Sequence, residues 1–114
     1  MKFSESLKKS ADFKTVYRRG TSCADKRLIL YANRNGTGRN RLGISASKKY
    51  GNSVERHLFQ RRIRAIYRLQ EEAFHSGWDV VVVARSRAKD AEYSELEKSF
   101  LYLAKKARLL KTED

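Results

Sequence analysis

The sequence predicts one small α+β domain with the element order α-β-β-(β)-α-β-α, in which the helices pack on a four-stranded sheet. Two observations predict this class: long segments carry apolar residues at helical spacing, and short runs rich in β-branched residues lie between them. The length of 114 residues, without proline, allows a single modest core. We therefore expect one domain over residues 1–114, with residues 1–9 flexible.

A first short helix is predicted over residues 11–19. Ser10 can cap its N-terminus, and Gly20 can end it. The apolar and aromatic positions of this helix are three and four residues apart, which places them on one face. These residues are Phe13, Val16 and Tyr17.

Two strands are predicted to follow this helix. Residues 26–32 and 41–47 have strand-like apolar patterns, and residues 33–40 between them contain turn signals. We expect the two strands to pair as an antiparallel hairpin, with a further short strand near Ser22. Alternation in the first of them places Leu28 and Leu30 on one side, and Ile29 and Tyr31 on the other.

A basic helix is predicted over residues 53–74. Asn52 can cap it, and Glu55, three residues later, completes a capping box. On a helical wheel of about 100° per residue, one side is apolar and the other is basic. The apolar side holds Val54, Leu58, Phe59, Ile63, Ala65, Ile66, Leu69 and Ala73, with Arg62 near its edge. The polar side holds Arg56, His57, Gln60, Arg61, Arg64 and Arg68.

The last third of the chain is predicted to form a strand and a C-terminal helix. Val80–Ala84 is apolar without alternation, which is typical of a central strand covered on both faces. The helix is indicated by apolar residues at three- and four-residue steps. They are Tyr93, Leu96, Phe100, Leu103, Ala107 and Leu110.

The charge of the chain indicates a polyanionic partner. Lys and Arg number 26 against 13 Asp and Glu, a net charge of +13. Positive charges in such excess repel one another in the folded state. Binding to nucleic-acid phosphates is favourable because it releases counterions, so we expect nucleic acid as the partner. A single cysteine and two histidines cannot form a disulfide or a cysteine-based zinc site, and we expect no protein-bound metal.

The sequence also favours a cytoplasmic protein without a membrane segment. No apolar run approaches the roughly 20 residues that a membrane span needs. The first residues have no apolar core of the signal-peptide type. A lone cysteine agrees with a reducing compartment.

Several segments together resemble the protein subunit of bacterial ribonuclease P, over nearly the whole chain. The middle segment is the most specific, because few other small proteins join such a strand to such a basic helix. The matching residues are Asp12-Phe13, Val16-Tyr17, Gly20, Tyr31, Arg41-Leu42-Gly43-Ile44-Ser45, Lys48-Lys49-Tyr50-Gly51-Asn52, Val54, Arg56, Arg61-Arg62-Ile63-Arg64 and Asp79-Val80-Val81-Val82-Val83-Ala84.

The resemblance implies a cytoplasmic RNA-binding subunit of a ribonucleoprotein endonuclease. In that family a catalytic RNA hydrolyses a phosphodiester bond with Mg²⁺ and removes the 5′ leader of precursor tRNA. The implied partners are ribonuclease P RNA and precursor tRNA, with no membrane and no obligate protein partner. The implied fold is ribonuclease P protein-like, also termed ribosomal protein S5 domain 2-like, with a left-handed β-α-β crossover around the basic helix.

Two groups of site residues follow from the wheel and the resemblance. The first would contact the ribonuclease P RNA through phosphates, for which arginine offers a planar donor fork. Its members are Lys48, Lys49, Arg56, His57, Gln60, Arg61, Arg64 and Arg68. The second would bind the leader by stacking unpaired bases on aromatic rings. Its members are Phe13, Tyr17, Arg27 and Tyr31.

The basic helix departs from the family pattern at three positions. The family typically has Asn, Arg and Lys where this chain has His57, Leu58 and Gln60. Two positive charges are thereby lost from the family's signature, together with one amide at position 57. We expect His57 to face RNA rather than to bind a metal, because Mg²⁺ prefers oxygen ligands.

Two other functions stay open at the level of sequence. A basic ribosomal or other structural RNA- or DNA-binding protein would share the charge, but aromatics at positions 13, 17 and 31 favour a groove for single strands over duplex DNA. Core packing stays the alternative for these aromatics, above all for Phe13. A self-sufficient ribonuclease would need grouped carboxylates or a placed acid and base. The aspartates are scattered along the chain, so we predict no catalytic side chains in the protein.

Overall fold

The computed structural model describes residues 1–111, which form a mixed five-stranded sheet and three α-helices. The predicted α+β class is confirmed, although the sheet has one strand more than expected. In chain order the elements are β1 (Ser4–Ser6), α1 (Ser10–Arg19), β2 (Thr21–Ala24), β3 (Leu28–Arg34), β4 (Asn40–Ser45), α2 (Ser53–Gln70), β5 (Trp78–Ala84) and α3 (Tyr93–Lys106). Single 3₁₀ turns lie at Glu71–Ala73 and Ser86–Ala88.

The strand order across the sheet is β1-β4-β5-β3-β2. β5 is parallel to β4 and antiparallel to β3, and its residues Val80, Val81 and Val82 are fully buried. The predicted central strand is therefore confirmed. The predicted hairpin of β3 with β4 is wrong, because the more apolar β5 lies between the two strands and pairs with both. α2 joins the parallel neighbours β4 and β5, and the left hand of this crossover stays a prediction.

The N-terminal segment is ordered where flexibility was predicted. Residues 4–6 form the edge strand β1, which is parallel to β4 with Ser4 opposite Asn40. Leu7 continues the pairing through its N–H, which donates to the carbonyl of Leu42 at 2.8 Å. The prediction for residues 1–9 is thus wrong for this strand. Its Ser-Glu-Ser sequence has no apolar alternation, and pairing with β4 is what orders it.

The main core lies between one face of the sheet and the helices α2 and α3. Leu28 and Leu30 point into this core, as their alternation predicts. They pack with residues from the two helices and from β5, all less than a tenth exposed. These include Ile63, Ile66, Tyr67, Val80, Val82, Phe100 and Leu103.

A second, smaller cluster lies on the opposite face, under α1. Leu7, Val16 and Val81 are buried there. Phe13, Tyr31 and Val83 pack against them and are only partly buried. The aromatic side chains predicted on α1 and β3 are therefore brought together above one face of the sheet.

The N-terminus of α1 differs from the prediction, whereas its C-terminal end agrees with it. Ser10 lies inside the helix, Lys9 is the N-cap residue, and it makes no side-chain capping bond. Gly20 ends the helix as predicted, with its N–H donating to the carbonyl of Val16. A Cβ at Gly20 would lie 2.6 Å from that oxygen and 2.8 Å from the carbonyl oxygen of Ala32, so a side chain cannot fit.

The start of α2 is predicted correctly, but its buried face is not. Asn52 and Glu55 form both bonds of the capping box. The helix ends at Gln70, and the predicted remainder is a 3₁₀ turn. Val54 and Leu69 are 75% and 72% exposed and Leu58 is 45% exposed, whereas Tyr67 is buried. The apolar positions extend around more of the helix than the core can cover, so one flank stays in water.

Candidate nucleic-acid interface

The outward face of α2, which we call the basic face, carries three exposed arginines. Arg61, Arg64 and Arg68 are exposed and lie on one side of the helix, and His57 is exposed beside them. None of these arginines forms an ion pair with a carboxylate in the part of the chain that the structure describes. Their guanidinium groups are available to phosphates, and the helix that carries them is fixed by its buried side.

Arg56 and Gln60 lie at the edge of this face and are less exposed than Arg61, Arg64 and Arg68. Both are half-buried, and with Ala46, Ser53 and His57 they line a small cavity of about 160 Å³. The Nε of Arg56 donates to the carbonyl oxygen of Asn52 at 3.4 Å. The position of Arg56 is therefore set by the first turn of α2.

The start of α2 is clamped in place by Glu55. Its carboxylate accepts the N–H of Asn52 at 2.9 Å and pairs with the ammonium of Lys89 at 3.0 Å. The backbone bond and the nearby Lys89 lower the pKa of Glu55, which favours its charged form. Lys48 and Lys49 are exposed in the turn just before this clamp, so their charges continue the basic face.

Three aromatic rings cluster between α1 and the sheet, at the place where the sequence predicts a groove. The rings of Tyr17 and Tyr31 meet edge to face, with centroids 4.9 Å apart, and Phe13 lies 6.3 Å from Tyr17. Tyr17 is 39% exposed, whereas Phe13 and Tyr31 are half-buried. We call this set, Phe13, Tyr17 and Tyr31, the aromatic groove. Its rings are held by each other and still present surface for stacking.

The floor of the aromatic groove requires a glycine. A Cβ at Gly43 of β4 would lie 2.7 Å from Cζ of Phe13 and 3.1 Å from a methyl carbon of Leu7. The Phe13 ring therefore rests directly on the backbone of β4. A side chain at this position would displace the Phe13 ring.

An ion-pair network below the groove was not predicted from the sequence. Arg41 of β4 donates from Nε and Nη2 to both carboxylate oxygens of Asp79, at 2.8 and 2.6 Å. Its Nη1 reaches Asp12 of α1 at 3.3 Å. Hydrogen bonding to Asp79 raises the pKa of Arg41 above its already high value. The network ties α1 to β4 and β5, and neither spacing nor periodicity along the chain indicates it.

Arg27 does not join the aromatic groove. It precedes β3, and its guanidinium pairs with Glu95 of α3 at 2.6 Å, on the side of the sheet that holds the main core. The prediction that Arg27 shares the face of Tyr31 is therefore wrong. The strand alternation does not extend to Arg27, because the N–H groups of Arg27 and Leu28 bind Asp25 in a turn before β3.

The protein side chains show no metal-binding cluster within residues 1–111. Asp12 and Asp79 approach the same arginine, so both are engaged by a cation rather than open to a metal. No helix in the same range is long and apolar enough to cross a membrane. The candidate site thus consists of an arginine-rich helix face and an aromatic groove.

Comparison with known proteins shows the family of the chain. The Ribonuclease P family model matches residues 1–108. The ribonuclease P protein component of Lachnoclostridium phytofermentans is 46% identical over 111 residues, which cover 97% of this chain and 96% of that protein. The component of Alkaliphilus metalliredigens is 40% identical over 110 residues, 96% of this chain and 99% of that protein.

Solved structures show the same fold. The RNase P protein of Staphylococcus aureus superposes with a TM-score of 0.88 at 33% identity, covering 95% of this chain and 99% of that one. The RNase P protein of Thermotoga maritima gives a TM-score of 0.82 at 25% identity, covering 90% and 96%. The chain therefore belongs to the ribonuclease P protein family and is the protein component of the endoribonuclease that matures the 5′ ends of tRNA, in partnership with ribonuclease P RNA.

Proposed function

We propose that this subunit uses its two surfaces for two different RNAs. The basic face of α2, with Lys48 and Lys49, binds phosphates of the ribonuclease P RNA. The aromatic groove binds the single-stranded 5′ leader of precursor tRNA. The observation that carries the proposal is the edge-to-face pair of Tyr17 and Tyr31, partly open to solvent on the side of the sheet opposite the main core.

The chemistry of each surface fits its proposed ligand. Arginines without carboxylate partners bind phosphate through charge and paired hydrogen bonds, regardless of base sequence. Aromatic rings stack on unpaired bases with little sequence preference, because every base has a π-face. A leader that differs from one precursor to the next needs this kind of tolerant recognition.

We assign the hydrolysis itself to the RNA subunit. Residues 1–111 hold no group of three or more potential metal ligands, and Asp12 and Asp79 are engaged by Arg41. Side-chain catalysis of phosphodiester hydrolysis would need paired carboxylates for metal ions or a placed acid and base. Mg²⁺ would therefore act through the RNA. We further place the complex in the cytoplasm, with no obligate protein partner.

Reconstituted cleavage tests the proposed function. Precursor tRNA is incubated with the protein alone, with a bacterial ribonuclease P RNA alone at low Mg²⁺, and with both. We expect cleavage at the 5′ end of the mature tRNA only when both are present. Cleavage by the protein alone would make it a self-sufficient nuclease, and no stimulation of the RNA would remove the proposed role.

A further inference from the structure

The end of α2 holds the N-terminal segment of the chain. The backbone N–H groups of Lys2 and Phe3 donate to the two carboxylate oxygens of Glu71, at 2.8 and 3.0 Å. The Glu71 residue is only 7% exposed. A buried carboxylate is unfavourable unless hydrogen bonds compensate it, so Glu71 and the segment stabilise each other.

A second contact fixes β1 at its first residue. The hydroxyl of Tyr67 lies 2.6 Å from Oγ of Ser4 and 3.4 Å from Nδ2 of Asn40, and Tyr67 and Ser4 are both buried. Asn40 is itself held, because its side chain binds the carbonyl oxygen of His75 and the N–H of Trp78. Tyr67 thus anchors β1 to a rigid part of the fold.

The anchored strand leads directly into the wall of the aromatic groove. Leu7 follows β1, is buried beside Val16 and Val81, and touches the site of Gly43 on which Phe13 rests. α1 begins three residues later, at Ser10. The position of β1 therefore sets where α1 lies above the sheet.

We propose that Glu71 and Tyr67 are positioning residues for leader binding. They hold β1 against the end of α2, and β1 in turn holds α1 at the distance from the sheet at which the aromatic groove fits a base. Through β1, the position of α2, which carries the basic face, thereby fixes the position of α1, which forms the wall of the groove. This inference rests on the proposed role of the groove in leader binding.

α1 has a separate attachment, so loss of the anchor shifts it rather than releases it. Asp12 near its N-terminus binds Arg41, which is fixed by Asp79. A variant that weakens the anchor should therefore keep the fold and the basic face. Only the fit of the groove should change.

The test uses Glu71→Gln and Tyr67→Phe in the reconstituted holoenzyme with saturating RNA subunit. Phe at position 67 keeps the ring that packs on Phe74 and Phe100 and removes only the hydroxyl. The measured quantity is the leader preference, the ratio of the Kd of mature tRNA to that of precursor tRNA. We expect it to fall about 3- to 10-fold in each variant, the effect of one or two hydrogen bonds. Glu72→Gln, at the exposed neighbour, is the matched control and should leave it unchanged.

Two further measurements separate positioning from general damage. Affinity for the RNA subunit should stay within about twofold of the parent protein, as for substitutions that leave a surface intact. Deletion of residues 1–6 should lower the leader preference as Glu71→Gln does, and the combined variant should lose nothing more. Equal loss for mature and precursor tRNA, or a further loss in the combined variant, would overturn the inference.

Tyr17→Ala in the same assay distinguishes this inference from the function on which it rests. If Tyr17→Ala lowers the leader preference and both anchor variants leave it intact, the groove stands and the positioning role is overturned. If Tyr17→Ala also has no effect, the leader-binding function itself fails, and the positioning role fails with it. Loss in all three variants supports both.

Discussion

The basic face of α2 and the aromatic groove are built in opposite ways. On α2, Arg61, Arg64 and Arg68 are exposed, lie along a helix of 18 residues, and make no ion pair within residues 1–111. The rings of the groove contact one another and the backbone of β4, so each depends on its neighbours. We infer that each arginine on the helix adds independently to RNA affinity through its charge. Binding in the groove depends instead on how the rings are arranged.

The largest expected effect comes from removing the charges of α2. The variant Arg61→Ala with Arg64→Ala and Arg68→Ala should bind ribonuclease P RNA much more weakly at physiological salt. The slope of log K against log salt should fall by about 2 to 3 units, because each lost phosphate contact contributes about 0.7–0.9. Salt titrations of the parent and the variant measure this directly.

A matched variant keeps this prediction falsifiable. Lys98→Ala with Lys105→Ala and Lys111→Ala removes the same charge from exposed positions elsewhere. It should change the slope far less than the α2 variant. Equal slopes for the two variants would show that only the net charge matters, and the basic face would lose its special role.

The groove should respond to single rings. Tyr17→Ala or Tyr31→Ala should weaken binding of precursor tRNA by about 1–3 kcal/mol for each stacked base, with mature tRNA nearly unaffected. Tyr102→Ala provides the control, because Tyr102 is 56% exposed on α3, whose other side packs on the main core. A control variant as defective as the two groove variants would contradict the assignment of the groove.

A single methyl group in the floor should also disturb the groove. Gly43→Ala places a Cβ 2.7 Å from the Phe13 ring, and such overpacking costs about 1–3 kcal/mol of stability. We expect a lower melting temperature and weaker binding of precursor tRNA. Gly38→Ala, where a Cβ meets nothing within 4 Å, should be close to neutral. Unchanged leader binding in a folded Gly43→Ala variant would show that the distance of α1 from the sheet is not critical.

Restoring the family's residues on α2 should have a smaller effect of the opposite sign. His57→Asn with Leu58→Arg and Gln60→Lys adds two cations and should tighten RNA binding at low Mg²⁺. Leu58 is already 45% exposed, so little buried apolar surface is lost and the melting temperature should change little. Binding assays across a Mg²⁺ series check this, and unchanged affinity would mean that these positions do not touch RNA.

The smallest expected effect is a change in acid stability at Glu71. Burial alone would raise the pKa of Glu71, but the nearby Ser4 hydroxyl, the N–H groups of Lys2 and Phe3 that bind its carboxylate, and the nearby N-terminal charge lower it overall. A carboxyl with a lowered pKa stabilises the fold at pH above its ordinary pKa of 4.5 and loses this contribution as the pH falls. Glu71→Gln should therefore be less stable than the parent near pH 7, and the difference should shrink towards pH 3 in denaturant titrations.

Local features of the fold could be predicted from the sequence because their causes are local. The capping box of Asn52 and Glu55, the alternation of Leu28 and Leu30, and the buried run of β5 each depend on neighbouring residues. The pairing of β5 with both β3 and β4 is not local, because β5 begins more than thirty residues after β4 ends. A hairpin prediction that considers only adjacent segments cannot include it.

The site was predictable in its residue types but not in its attachments. The exposed arginines of α2 follow from the wheel, and the rings of the groove follow from their spacing and the family resemblance. The bonds of Arg27 with Glu95 and of Arg41 with Asp79 join residues far apart in the chain, and no pattern indicates them. The same holds for the anchoring of β1 by Glu71, which orders a segment that has no apolar pattern.

The leader preference of two variants, measured side by side, tests the central claim that the two surfaces serve different RNAs. The holoenzyme is assembled with saturating ribonuclease P RNA, and the Kd values of precursor and mature tRNA are compared. The account predicts that Tyr17→Ala with Tyr31→Ala loses most of the leader preference and keeps its affinity for the RNA subunit. The Arg61, Arg64 and Arg68 variant should lose that affinity yet keep the leader preference once assembled. Loss of both properties in both variants would contradict the account.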